Sequence, residues 1–270
     1  MLPSQRAREK QNAELDEQGA PWSSTIDHRA RVRLATAAKV LQLDAQLVAF
    51  FLSRDSGIPL QDHTVFAFDD YHDNETLVEI IASVPVAMPE RTEDVQSWKR
   101  FVNKVFRQHR IGYKFVDDDL IPFEDDELMQ NVVEPTLGIL VEGRFQEARK
   151  SYMEALEVIA DGKPGTSITH AGTALQQTFQ ALGCDGKVLG NLVRDAKRKG
   201  LLGEVDTPLA EGIEKFCNWA AANRNQLSAA HSSTELKSED AWLMVHVVGA
   251  LIQRLAAGTP RQAQPATQDG

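Results

Sequence analysis

From Ser238 the chain reads SEDAWLMVHVVGALIQRLAA. Trp242, Leu243, Val245, Val247, Val248, Leu251 and Ile252 wrap most of the circumference of any helix built on it. A helix that is apolar on more than one face must be covered from more than one side. The rest of the chain therefore has to supply neighbouring helices, and a second subunit is expected on the side they leave open. The other long apolar patterns share the helical period. Val95, Trp98, Val102, Val105 and Phe106 form one stripe after Thr92, with Lys99, Arg100, Lys104, Arg107 and Arg110 around it as a basic face, commonly a solvated one and otherwise one that could meet nucleic acid. Phe145, Ala148, Tyr152, Ala155, Leu156 and Ile159 form a second, and Ile168, Ala171, Leu175, Phe179 and Leu182 a third, closed by Gly183. IGYKFVDDDLIPF alternates about an Asp-rich turn, which predicts a β-hairpin near 113–123. The fold class expected is mainly α with that one hairpin.

At 270 residues the chain is long enough for two ordinary domains. Residues 1–24 are polar and predicted disordered, as is the tail 258–270. Residues 25–142 read as a mostly helical N-terminal domain containing the hairpin, and 143–257 as a C-terminal helical domain, with Gly143 at the hand-over. Ser23, Ser24 and Thr25 are expected to cap a helix over about 26–43, and Thr92 to cap a later one. A helix over about 75–84 is expected to stop before Pro85, and Pro135 to kink or restart the helix around it. His63, Asp69, Asp70, His72 and Asp73 cluster in sequence but follow no known ligand spacing, so Asp73 reads as a helix cap and no metal or cofactor is expected.

With 29 Lys and Arg against 39 Asp and Glu, the net charge is −10. That removes any bulk electrostatic attraction to nucleic acid, so an RNA contact has to be local. Cys184 and Cys217 stand far apart and read as reduced thiols. The N-terminal stretch has no apolar h-region, so no secretory leader is expected, and the run from Ala241 to Ala257, interrupted by His246 and Arg254, is expected to fall short of the roughly 20 residues of a membrane span. A cytoplasmic protein without a membrane partner is the expectation.

One stretch interrupts the helical pattern with ionisable groups. Leu209, Ile213, Phe216, Cys217 and Ala220 mark one helical face after Thr207 and Pro208, and the next positions on that face are Arg224, Leu227 and then His231. Arg224 and His231 are close to two turns apart and would point the same way. A guanidinium and an imidazole converging on one surface make a phosphate site; cations complementing the dipole of a helix end are the simpler account. Arg194, Lys197 and Arg198, with Lys199, form the densest basic cluster, open to the same two accounts.

The order Arg224–Asn225, five residues, His231, followed by a loop and a very apolar helix, resembles the HEPN superfamily of helical RNA-associated domains. It is most similar to the HEPN-type C-terminal domain of abortive-infection proteins of bacterial phage defence, over roughly residues 90–257, including HRIGYKFVDDDLIPFEDDELMQNVVEPTLGIL and ITHAGTALQQTFQALG. The resemblance implies a HEPN-like bundle over 143–257 and a metal-independent endoribonuclease or RNA-targeting effector. In it, Arg224 would hold the phosphate, Asn225 would orient it, and His231 would move the proton. It also implies a homodimer with a composite site, and an antitoxin or phage trigger as partner. The alternative it leaves open is a non-catalytic module binding RNA, a nucleotide or a protein. The sequence departs from the family at Gln176 and Gln180, where a Glu and a Lys are usual.

Overall fold

The computed structural model describes residues 3–18, 20–62, 64–68, 73–202, 208, 211, 212, 214, 215 and 236–257. They are mainly helical and form two compact units, Met1–Asp125 and Asp126–Gly270. Residues 126–142, expected with the N-terminal domain, belong to the second unit, because the helix they form packs on the chain's last helix.

The first unit is α1 (Pro3–Glu17), α2 (His28–Val40), α3 (Ala45–Phe51, running into a π-helical turn Leu52–Ser56), α4 (Asn74–Ala87), α5 (Thr92–His109), β1 (Tyr113–Val116) and β2 (Asp119–Pro122). The expectation of disorder before residue 25 is corrected: residues 3–17 are helical, although no side chain described there is buried. The expected caps at Ser23, Ser24 and Thr25 are also corrected. Asp27 starts α2, its carboxylate accepting from the N–H groups of Arg29 at 2.9 Å and Ala30 at 3.1 Å. Asp44 caps α3 and Asp73 caps α4 in the same way. Thr92 is the first residue of α5, and no side chain caps that helix.

Helix α4 does not stop at Pro85 but runs through it to Ala87. A proline removes the N–H that would bond the carbonyl four residues back. Here that carbonyl is Ile81 O, and Trp98 Nε1 of α5 points to it at 3.5 Å. Trp98 itself is wholly buried in the core of the unit, with Leu34, Leu77, Ile80, Val102 and Phe106.

The hairpin forms where the alternation places it. Strands β1 and β2 pair antiparallel with Phe115 opposite Leu120 and Val116 opposite Asp119. The turn needs a positive φ, which Asp117 supplies at 52°. Helix α5 holds the hairpin: Asn103 makes both amide bonds to the backbone of Phe115, at 3.1 and 2.7 Å. Lys99, expected on a solvated basic face, is buried and ties down the turn through Asp117 O at 2.9 Å and Asp118 Oδ1 at 2.7 Å. Gly112 sits where β2 leaves, and a Cβ there would come within 2.5 Å of Phe123 O.

The second unit is α6 (Asp126–Leu128), a π-helical turn (Met129–Val133), α7 (Glu134–Leu140), a 3-10 turn (Gly143–Phe145), α8 (Gln146–Ala160), α9 (Pro164–Ala181), α10 (Leu189–Arg198) and α11 (Ser238–Ala257). Around Pro135, where a kink or restart was expected, the helical run continues but widens into the π turn just ahead of it. The carbonyl four residues back is Asn131 O, and the backbone opens into the π turn there. Gln253 of α11 reaches in: its Nε2 donates to Val132 O at 2.9 Å and to Thr136 Oγ1 at 3.1 Å, and lies 3.5 Å from Asn131 O. Helices α8 and α9 form an antiparallel hairpin, and α11 packs across α9, α8 and α7. Tyr152 stands wholly buried at that crossing with its hydroxyl donating to Val245 O at 3.2 Å. Burial pushes its phenol well above the ordinary range.

Helix α11 spans 20 residues and is apolar enough to cross a bilayer by length and composition, which corrects the shorter reading of that run. Half of that window is buried inside the chain. Trp242, Val245, Val248, Leu251 and Ile252 are all buried against the unit's own helices, and Leu243 at 58% is the exposed large apolar residue of α11. Apart from Leu243, little apolar surface on this helix is left to call for a partner subunit.

Candidate functional site

Arg224, Asn225 and His231 lie outside the described residues, as do Cys217 and most of the helix expected before them. The residues that flank them are placed. Glu214 lies against the start of α10: a Cβ on Gly190 would collide with its carboxylate. Leu236 lies against the start of α9, its Cδ1 at 3.3 Å from where a Gly165 Cβ would stand. Glu214 and Leu236, the nearest such residues on either side of that stretch, thus stand beside α10 and beside the N-terminus of α9. Two buried polar atoms of that unit, Gln177 Oε1 on α9 and Trp242 Nε1 on α11, find no hydrogen-bond partner among the described residues. Trp242 stacks on His246, ring centroids 5.5 Å apart and 20° between planes.

Gln176 and Gln180, where the resembled family carries Glu and Lys, have a structural task. They are one turn apart on α9 and both reach the loop that leads to α10. Gln176 Nε2 donates to Lys187 O at 3.2 Å, and Gln180 Nε2 to Gly186 O at 3.3 Å. A glutamate cannot donate to a carbonyl, so the amides suit this contact in a way the family's carboxylate would not.

The basic cluster on α10 is organised around one carboxylate. Asp195 is buried and accepts from the Asp185 N–H at 2.7 Å, from Lys199 Nζ at 2.9 Å and from Arg198. The Asp185 N–H and the Lys199 ammonium bring its pKa down to about 2. Arg198 and Lys199 are thereby paired with Asp195, although the Arg198 side chain stays 76% exposed. Arg194 folds back on its own helix, to Gly190 O at 3.3 Å and to Asn191 Oδ1. Lys197 is exposed, with no ion-pair partner among the described residues. Of the three cations read as a phosphate surface, Arg194, Lys197 and Arg198, Lys197 alone is left with its head group uncommitted.

His63, Asp69, Asp70 and His72 also lie outside the described residues, and Asp73 accepts from Thr76 N–H at 2.7 Å as the cap of α4. Among the described residues no three His, Cys, Asp or Glu side chains gather as a metal-holding group. Cys184 is buried, and burial, with Asp195 nearby, pushes its thiol up and away from reactivity.

The sequence reading passed over one cluster, in the first unit. His109 ends α5, and its side chain is only 3% exposed. Its Nδ1 lies 2.5 Å from Asp27 Oδ2, while Arg8 Nη1 and Arg33 Nη1 approach its Nε2 at 2.5 and 3.2 Å. These four residues come from three separate segments, so no local spacing announces them. No protein-family model matches this chain, and neither a curated protein nor a solved structure matches it.

Proposed function

We propose that the chain is an RNA-targeting effector of the abortive-infection kind, with Arg224, Asn225 and His231 as its working residues and metal-independent cleavage of RNA as its chemistry. The observation that carries the reading is the complete Arg–Asn–His set in one short stretch, immediately ahead of the very apolar helix α11. RNA holds its own nucleophile, the 2′-OH beside the scissile phosphate. In this reading the 2′-oxygen loses its proton and attacks phosphorus, the bond to the 5′-oxygen breaks, and that oxygen leaves protonated. The products are a 2′,3′-cyclic phosphate and a 5′-hydroxyl. His231 moves one of the two protons, the task for which an imidazole is poised near neutral pH. Arg224 holds the non-bridging oxygens with its planar fork, and Asn225 orients the phosphate. A second copy of the chain would supply the other acid–base group, which makes a homodimer part of the proposal. A net charge of −10 confines the RNA contact to a small area.

The test is cleavage of bulk RNA by the purified full chain, with and without EDTA, beside His231→Ala. Cleavage by wild type, unaffected by chelator and lost in the variant, is the expected result. Equal cleavage by both proteins overturns the mechanism. A second reading, a binding module without turnover, is favoured by Gln176 and Gln180, whose amides hold a loop where the family has ionisable groups. RNA binding by wild type that weakens in Arg224→Ala, with no cleavage by either protein, decides for it.

A further inference from the structure

We propose that helix α1 is a strap over the C-terminal end of α5 which neutral pH holds shut through His109 and mild acid releases. The proposal is independent of the RNA reading.

Among the described residues of α1, polar bonds make the named attachments and Leu15 is the half-buried apolar side chain. A helix ordinarily docks by burying an apolar stripe, yet none of the α1 side chains described is buried. Its attachment is Arg8 on His109, Asn12 Nδ2 on the last carbonyls of α5 (Arg107 O and Gln108 O, both 3.2 Å), and Asp16 on Arg110. Arg110 also donates to Ala20 O and stacks over Trp22, its guanidinium carbon 4.9 Å from the ring centre. Beyond that point the chain is fixed more firmly. Ser23 N donates to Arg110 O and Gly112 N donates to Ser23 O, both at 2.8 Å. The strap is therefore anchored at Ser23, and the hydrogen bonds described for α1 ahead of it are ones that water could replace.

Charge makes His109 the keystone. A guanidinium has donors and no acceptor, so the Nε2 that receives Arg8 and Arg33 presents a lone pair. The single ring proton is then on Nδ1, facing Asp27, and the imidazole is neutral. Protonation places a hydrogen on Nε2, aimed at two guanidinium groups. Three cations would then share one carboxylate. The charged groups around the ring are Arg8 and Asp16 from α1, Asp27 and Arg33 at the start of α2, and Arg107 and Arg110 at the end of its own helix. Asp16 is taken by Arg110, so among the described residues Asp27 stands alone against the excess. Arg33 is fixed on α2, its guanidinium carbon 5.8 Å from the Phe101 ring centre, which leaves Arg8 as the group that can withdraw.

The direction of the pH effect follows. Burial, aided by Arg8 and Arg33, lowers the His109 pKa below its ordinary value, and Asp27 only partly offsets this. Burial opposes ionisation of Asp27, but its bonds from His109 and from the Ala30 and Arg29 N–H groups prevail and hold it below the carboxylate range. Asp27 thus stays charged throughout the range in which His109 titrates. With the strap released, His109 returns toward a pKa of about 6.5. A group whose pKa is depressed in the closed state favours closure above its open-state pKa and withdraws that support as pH falls. The closing equilibrium is therefore full above about pH 6.5 and weakens by up to about tenfold per pH unit below it, down to the closed-state pKa. Release uncovers Arg33, His109 and the terminal carbonyls of α5.

Hydrogen exchange on the full chain tests this, read as protection of the α1 amides and corrected for intrinsic rates, from about pH 7.5 to about pH 5. Protection in α4 serves as the internal reference. In wild type the α1 protection should fall progressively below about pH 6.5 while α4 holds. Replacing His109 by Gln keeps an acceptor for Arg8 without a titrating proton, so His109→Gln should show α1 protection independent of pH. Arg8→Met lies outside any core and should lose α1 protection at both ends of the range. Flat protection in wild type overturns the proposal. So does a His109→Gln or Arg8→Met protein that loses protection with pH just as wild type does.

Discussion

Gly249 marks a place where a single hydrogen decides the packing. A Cβ there would fall 2.6 Å from Tyr152 Oη and 3.0 Å from Thr136 Oγ1, in the middle of the crossing between α11, α8 and α7. Those oxygens cannot retreat, because each is hydrogen-bonded to a buried backbone carbonyl, Val245 O and Val132 O. Gly249→Ala should cost about 1–3 kcal/mol, as over-packing of a filled core does, and a urea titration of the second unit reads it. Gln253→Leu takes one donor from Val132 O, which keeps the Thr136 hydroxyl, and the side-chain donor from Asn131 O, and should cost about 1 kcal/mol in the same assay. Asp195 gives a pH signature. Its pKa lies near 2 against an ordinary 3.8, so the stability it contributes is full above about pH 4 and disappears as pH falls toward 2. Asp195→Asn should flatten the acid side of the stability curve over that window.

At the scale of elements, both internal prolines are resolved by a side chain from another helix. Pro85 and Pro135 each free the carbonyl four residues back, and Trp98 and Gln253 point to those carbonyls from α5 and α11. The π turn at Met129–Val133 accompanies the second case, while α4 continues through the first. Trp98→Phe keeps most of the buried ring but removes the indole N–H. It should destabilise the first unit by about 1–2 kcal/mol through the unsatisfied carbonyl and the smaller ring, with thermal melting followed by circular dichroism as the readout. The partner of a proline's freed carbonyl is therefore a residue that sequence places elsewhere. Helix α4 runs through Pro85, where a stop was expected, and at Pro135, where a kink or restart was expected, the helical run widens into the π turn.

For the molecule as a whole, the division between Asp125 and Asp126 falls inside the acidic run Glu124–Glu127. Each unit has buried side chains of its own, Trp98 and Phe106 in one, Tyr152 and Phe179 in the other. Residues 126–270 expressed alone should give a cooperative melt and a helical spectrum. The shorter fragment 143–270 lacks α7, whose Leu137 and Leu140 are fully buried, and should not. If both fragments melt alike, the division lies nearer Gly143. The dimer now rests on the composite-site reading alone, and light scattering at micromolar concentration reads it directly.

The helical period of the apolar residues was enough to locate α5, α8, α9 and α11, and the alternation about Asp117–Asp119 located the hairpin, because local periodicity decides which face a segment can bury. Cap residues were legible where a carboxylate had no competing task, as at Asp73, and misread at Ser23, Ser24 and Thr25, where Asp27 outcompeted them. What periodicity cannot convey is which charges meet. Lys99 appeared to belong to a solvated face and is buried on the hairpin turn; Arg198 appeared to await a phosphate and is bound to Asp195. The contact of His109 with Asp27, Arg8 and Arg33 joins residues as far as 101 positions apart. Ion pairing and burial depend on distances between segments, and a distance of that kind exists only once the helices have packed. The Arg224–Asn225–His231 set stands at the opposite extreme, legible in sequence through order and spacing, its chemistry awaiting the His231→Ala experiment.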